Sequence, residues 1–256
     1  MSSTPSDLTG RVVLVTGGTK GIGHTIAEAF LAAGAEVAVC GRNEPEQLPS
    51  AADRSAVFLA ADVREADQAA RVVETVAERF GRLDVAVNNA GGSPDADSAT
   101  VSPRFVDKIV ALNLLAPFYV AQAANARMQQ QPAGGVVINI GSVSAHDPQP
   151  GTAAYSAAKA GLLMFSKALA LEWAPQVRVN HITTGLVRTE AAAAGYGEDG
   201  GEAVASLIPM LRMATPTDVA NTCLYLASDL ASYVTGADIA VHGGGEVPAR
   251  YTVTRS

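Results

Sequence analysis

From Arg11 to Val241, short apolar runs rich in β-branched residues alternate with longer stretches whose apolar residues recur at helical spacing. Seven runs read as strands: Val12 to Val15, Val37 to Cys40, Val57 to Ala60, Val85 to Val87, Val136 to Ile140, Val177 to Ile182 and Ala237 to Val241. Most are too uniformly apolar to keep a wet face, as expected of parallel strands covered on both sides. Between them, Ile22 to Ala33, Glu65 to Phe80, Pro103 to Gln129, Thr152 to Trp173 and Pro216 to Ser228 have helical periodicity, with Gly34 and Gly81 placed as C-terminal stops. The alternation predicts an α/β chain with a parallel sheet between helical layers.

Two segments break the pattern. Residues 91–102 are polar and contain proline, and residues 189–213 carry the small-residue tract AAAAGYGEDGG. The second is long enough to form a lid over a ligand, with a disordered surface insertion as the plainer alternative. No repeat or linker divides the chain, so residues 1–256 are expected to form one domain with tails at 1–9 and 246–256.

Thr16-Gly17-Gly18-Thr19-Lys20-Gly21-Ile22-Gly23 follows the first strand directly and opens the first helix. Glycines there let the chain turn sharply and let a pyrophosphate approach backbone N–H groups at the positive end of a helix. The spacing is Gly-x3-Gly-x-Gly, different from the commoner G-x-G-x-x-G, and alone it is also compatible with a plain strand-to-helix turn.

Further matches accumulate along the chain. Asn88-Asn89-Ala90-Gly91 follows the fourth strand, Asn113 lies in an apolar helix, Ser142 ends the fifth strand, and Tyr155 and Lys159 stand four apart in the next helix. With the glycine turn, this set resembles the short-chain dehydrogenase/reductase family, with its TGxxxGxG, NNAG and YxxxK motifs, over nearly the whole chain. The resemblance implies a single doubly wound Rossmann domain whose seven-stranded parallel sheet has the order 3-2-1-4-5-6-7, with helices on both faces. It also implies a nicotinamide-dependent oxidoreductase passing hydride between cofactor and a carbonyl or secondary alcohol. The matched segments all follow strands, so in a parallel sheet they share the carboxyl edge, where such sheets bind ligands.

By resemblance, Gly17, Thr19, Lys20, Gly21, Ile22 and Gly23 hold the cofactor phosphates, Asp62 and Val63 contact the adenine, and Asn89, Ala90 and Gly91 border its ribose. Val187 and Thr189 match positions beside the nicotinamide carboxamide, although this chain has Thr184-Gly185 where relatives commonly have Pro-Gly. Asp62 is also placed to cap the helix after it. At the end of the second strand, where an acidic residue usually holds the ribose hydroxyls, the chain has Gly41-Arg42. Arg42 and Lys20 suit a 2′-phosphate, which favours NADP(H) and leaves NAD(H) as the alternative.

The chemistry explains the Tyr155–Lys159 pairing. Side chains four apart rise from one helix face, and carbonyl reduction needs one group to serve as acid and base near neutral pH. A free tyrosine, with a pKa of about 10, needs roughly 4 kcal/mol of preference for the phenolate to reach that range. One cation about 4 Å away at an effective dielectric near 20 contributes a term of that size. Ser142 is placed to bond the substrate oxygen, and Asn113 is read by resemblance as holding a water that links Lys159 to solvent. From its apolar setting alone, Asn113 bonds to backbone instead.

Composition narrows the alternatives. A net charge of -7 argues against a nucleic-acid partner. The N-terminus lacks a basic and apolar leader, and no run of 18 or more apolar residues occurs, so no membrane partner is expected. Cys40 and Cys223 form no disulfide framework, and the four histidines have no ligand spacing, so a cytoplasmic protein without a metal is expected. Ser142, His146 and Asp147 do not make a hydrolase triad, because there is no G-x-S-x-G elbow and adjacent His and Asp side chains are badly placed to pair. An NAD(H)-dependent alcohol or hydroxysteroid dehydrogenase and a non-catalytic dinucleotide sensor or scaffold remain as alternatives. The long helices suit assembly into a homotetramer or homodimer.

Overall fold

The computed structural model of the chain describes residues 7–189 and 201–247. The strands are β1 (Val12–Thr16), β2 (Glu36–Gly41), β3 (Ser50–Ala51), β4 (Arg54–Ser55), β5 (Val57–Ala60), β6 (Val85–Asn88), β7 (Gly135–Ile140), β8 (Val177–Thr184) and β9 (Asp238–Val241). The α-helices are α1 (Gly21–Ala32), α2 (Ala66–Phe80), α3 (Pro103–Val110), α4 (Ala116–Met128), α5 (Ala153–Trp173), α6 (Glu202–Ser206) and α7 (Pro216–Ala227). Seven strands form one sheet in the order β5-β2-β1-β6-β7-β8-β9, and every pairing is parallel. Counting only these seven, the order is the expected 3-2-1-4-5-6-7.

Period-two alternation divides each strand between two cores. In β1, Val13 and Val15 join Ile26, Phe30 and Leu31 of α1 and Val219, Cys223 and Leu226 of α7 on one face. Val12 and Leu14 face the opposite layer, with Val72, Val73 and Val76 of α2 and Val120, Ala124 and Met128 of α4. Gly34 and Gly81 both adopt left-handed conformations after α1 and α2, as their positions predict.

Three features depart from the sequence reading. Ser50–Ala51 pairs antiparallel with Arg54–Ser55 around Ala52 and Asp53, both at positive φ. Two-residue strands have no periodic signal, and Ala-Asp lacks the glycine or asparagine that marks such turns. The helix expected over Pro103 to Gln129 is interrupted by a π-turn at Ala111–Leu115. Pro117 has no N–H to donate to the Asn113 carbonyl of an unbroken α-helix, and the chain takes a wider turn there. Finally, Leu8 and Val247, which fall within the expected tails, are anchored. Leu8 is buried in the core and its N–H bonds Ala33 O at 2.8 Å, while Val247 N–H bonds Leu207 O at 2.8 Å.

The segment expected to be a lid lies partly outside the described residues. Its described part forms α6 and a stretch in which Met210 N–H donates to Gly243 O at 3.2 Å, against the chain beyond β9. Tail residues 1–6 and 248–256 also lie outside the described residues.

Candidate active site

At the carboxyl edge of β1, Thr16 joins the glycine turn to the segment after β6. Its Oγ1 accepts from Asn89 N–H and Ala90 N–H, both at 3.0 Å. Asn89 Nδ2 donates back to Thr16 O at 3.0 Å and to Gly17 O at 3.2 Å. Gly17 has φ +63 and lies against Ala90, and a Cβ on Gly23 would overlap Asn89 Nδ2 and Gly17 O. Glycine is therefore required at both positions, by backbone conformation at the first and by close approach at the second. The hydrogen bonds of Thr16 and Asn89 join the turn before α1 to the segment after β6.

The edge borders a cleft of about 1020 Å³. Gly17, Thr19, Lys20, Gly21 and Ile22 line it on one side, Arg42 and Asp62 to Arg64 on another, and Asn89 to Gly91 with Thr189 continue it across the sheet. Lys20, Arg42, Arg64 and Arg188 give the walls a positive excess over Asp62. The glycine cradle, the size and the cations fit the phosphates of a dinucleotide.

Asp62 does not cap α2, whose N-cap position is Glu65. Its carboxylate accepts from Arg64 Nε at 2.9 Å and from the Arg64 N–H at 3.1 Å, and it makes a close contact with Arg64 Nη2. Hydrogen bonds from Arg64 hold the Asp62 carboxyl below the usual carboxylate range. Arg64 was not anticipated from the sequence, although a guanidinium two residues beyond an acidic group at a strand end is a readable signal. Cys40, on the cleft floor, is buried and its thiol is pushed up to about 12 by desolvation, so it is an uncharged wall.

Gly91 connects this cleft to the YxxxK residues. A Cβ there would stand 2.9 Å from Asn113 Oδ1 and 3.3 Å from Lys159 Nζ. Lys159 is buried, donates from Nζ to Ile140 O at 2.8 Å, and stands 5.7 Å from the centroid of the Tyr155 ring. Desolvation lowers its pKa to about 8, which leaves it a cation at neutral pH. Ser142 lies just past β7, where its Oγ accepts from Ser144 N–H at 3.1 Å and caps a short 3-10 turn over Val143–Ala145. Tyr155 also borders a smaller cavity of about 220 Å³ with Val101, Phe105 and Val106.

The Asn113 side chain bonds to backbone, as its apolar surroundings suggested. Oδ1 accepts from Gly92 N–H at 2.9 Å, and Nδ2 donates to Gly92 O and Ile109 O, both at 3.0 Å. It thereby fixes the polar 91–102 segment at the mouth of the site. Val187 is buried in the core and forms a bridge with Ala214 rather than lining the cleft, whereas Thr189 does line it. His146 bonds Asp238 on the edge strand at 2.9 Å.

A parallel sheet with a phosphate-sized glycine cradle at its carboxyl edge, next to a buried lysine and a tyrosine on one helix, defines a dinucleotide-dependent oxidoreductase scaffold. Comparisons with known proteins place it more closely. Residues 17–246 match the family model described as enoyl-(acyl carrier protein) reductase. The chain is 37% identical over 243 residues to D-threitol dehydrogenase of Mycolicibacterium smegmatis, covering 93% of each chain. It is 35% identical over 244 residues to 3alpha-hydroxysteroid dehydrogenase of Mediterraneibacter gnavus, covering 92% of this chain and 97% of that one. The ligand-free aldohexose dehydrogenase of Thermoplasma acidophilum superposes with a TM-score of 0.86 at 28% identity, covering 93% of this chain and 95% of that one. The chain belongs to the short-chain dehydrogenase/reductase family. It is an oxidoreductase acting on CH–OH donors, with NAD(P)(H) as the cofactor class.

Proposed function

We propose that the protein interconverts a secondary alcohol and the corresponding carbonyl with NADP(H) as the preferred cofactor and Tyr155 as the general acid and base. The observation that carries this reading is the buried Lys159 cation 5.7 Å from the Tyr155 ring, behind a cleft with the shape and charge for a dinucleotide. A cation held that near the ring favours the phenolate by Coulomb attraction. When bound, the nicotinamide supplies or accepts the hydride. In the reducing direction, the Tyr155 hydroxyl gives its proton to the carbonyl oxygen, Lys159 holds the charge left on the phenolate, and Ser142 Oγ donates to the same substrate oxygen. In the oxidising direction, the phenolate takes the alcohol proton.

Arg42 and Lys20 support NADP(H), because both line the cleft and no carboxylate stands at the end of β2. Arg64 adds a third cation on that side, partly engaged by Asp62. The relatives point to polyols and hydroxysteroids as the first substrates to try. Exposed Met164 and Leu171 on α5, together with Leu230 and Tyr233, support a homo-oligomer, since such side chains are normally covered. The buried, unpaired thiols of Cys40 and Cys223 support residence in a reducing compartment such as the cytoplasm.

The test is a panel of D-threitol, an aldohexose, a 3α-hydroxysteroid and simple secondary alcohols, with the matching ketones. NADPH and NADH absorbance is followed for wild type and Tyr155→Phe. Turnover in wild type that falls at least about a hundredfold in the variant is the expected result. Equal rates would refute the role of Tyr155, and tight NADPH binding without turnover of any panel member would favour a sensor.

A further inference from the structure

Two histidines at the ends of the loop that carries Ser142, one packed under Gly141 and one at the far end, share a single carboxylate on the edge strand. Asp238 opens the edge strand β9, beside β8 in the register His181↔Asp238. Its Oδ1 accepts from Thr183 Oγ1 at 2.6 Å and pairs with His181 Nδ1 at 2.9 Å, and its Oδ2 pairs with His146 Nε2 at 2.9 Å. His181 is fully buried, and its Nε2 has no hydrogen-bond partner among the described residues. Burial and the nearby Lys159 cation disfavour a charged ring. A neutral imidazole bonded to a carboxylate carries its proton on Nδ1, and the bare Nε2 lone pair then faces Gly141.

That face is filled tightly. A Cβ on Gly141 would overlap both Cε1 and Nε2 of His181. Gly141 is further fixed by its N–H to Ile182 O at 2.7 Å and by Thr184 Oγ1, which donates to Gly141 O at 2.8 Å. The imidazole therefore forms the floor beneath the residue before Ser142. The other end of the loop is His146, after the 3-10 turn and half-exposed; its N–H closes the turn on Val143 O at 2.9 Å, and its ring is tied to Asp238 and weakly to Thr183 at 3.4 Å. Between the two anchors stand Ser142, Val143, Ser144 and Ala145.

We propose that Asp238 is a positioning residue for Ser142, acting through His181 under Gly141 and through His146 at the far end of the loop. This rests on the reading of Ser142 given above. The carboxylate has the acceptor capacity for all three donors, which water bonded to a free loop would not arrange in one geometry. The short loop leaves little slack once both ends are held. Ser142 Oγ is thus kept at a fixed height over the sheet edge, where an ångström of drift costs rate in the chemical step.

The test is a double-mutant cycle on the intact protein, using the panel alcohol with the highest turnover and NADP+. Asp238→Ala is expected to lower kcat roughly tenfold or more while leaving the Kd for NADPH within about twofold, because the dinucleotide cleft is untouched. In a Ser142→Ala background, the same change is expected to lower kcat less than about twofold, since there is no hydroxyl left to misplace. Asp238→Asn keeps an oxygen for Thr183 and His181 and offers an amide N–H to His146, and is expected to restore kcat to within about threefold of wild type. His146→Ala frees only the exposed end and supplies the cycle if Asp238→Ala does not fold. Amide exchange of the peptide spanning residues 141–146 should speed up in both alanine variants, a readout that needs no substrate.

Wild-type kcat or unchanged exchange in the alanine variants overturns the proposal. So does an equal loss with and without Ser142, which would mark a merely structural role, or an Asp238→Asn variant as impaired as Asp238→Ala. If Ser142→Ala itself keeps full activity, the reading of the serine fails instead, and the two failures are separate.

Discussion

Replacing Lys159 with methionine should stabilise the cofactor-free protein at neutral pH while abolishing turnover. The lysine is 4% exposed, donates a hydrogen bond to Ile140 O, and is lowered by desolvation from 10.5 to about 8. Below pH 8 it is charged in both the folded and unfolded chain, and the difference between the two values then costs about 3 kcal/mol of stability at roughly 1.36 kcal/mol per pH unit. Methionine fills a similar unbranched volume without the charge. It also loses the bond to Ile140 O, worth about 1 kcal/mol. The net gain is about 2 kcal/mol, or roughly 4 to 8 °C in Tm for a chain of this size.

The sign with pH follows from the lowered folded value. Between about pH 8 and 10.5 the folded state holds fewer protons than the unfolded one, so wild-type stability rises relative to the variant until the cost has gone. Urea denaturation of both proteins from pH 6.5 to 10.5, at one protein concentration, measures this directly. A flat advantage below pH 8 that fades above it is expected. A variant less stable than wild type at pH 7, with a difference independent of pH, would refute the account. Such a result would mean that Lys159 is not carrying a desolvated charge.

Three other substitutions test neighbouring parts of the site. Gly23→Ala forces a methyl into Asn89 and the Gly17 carbonyl, so NADPH affinity measured by fluorescence should fall roughly tenfold or more, with about 1–3 kcal/mol of stability lost. Arg42→Asp should shift the ratio of kcat/KM for NADPH over NADH toward NADH by at least about tenfold, and an unchanged ratio would remove the arginine from cofactor choice. Asn113→Ala leaves the Gly92 N–H and carbonyl without their side-chain partner, so about 2 kcal/mol of stability and protease resistance within residues 91–102 should both be lost.

Most of the architecture was legible along the chain because parallel strands buried on both faces must be continuously apolar, and the helices that cover them must repeat at helical spacing. The seven sheet strands and the boundaries of α1, α2, α5 and α7 follow from that requirement within a residue or two. The glycine turn, the NNAG segment and the YxxxK pair were legible for a related reason, since each lies directly after a strand or at a fixed step on a helix. The interruption at Ala111–Leu115 was not read, although Pro117 is its local cause, because a single proline in a strongly apolar helix is outweighed by the periodicity around it.

What only the tertiary structure decided are the relations between residues far apart in sequence. The burial that lowers Lys159 depends on Ile140, 19 positions away, and on Gly91 leaving room for its ammonium group. The meeting of His146, His181 and Thr183 on Asp238 depends on which strand lies at the sheet edge and in what register. Periodicity specifies which side of an element is buried, whereas the partner on the other side is set only when strands choose neighbours.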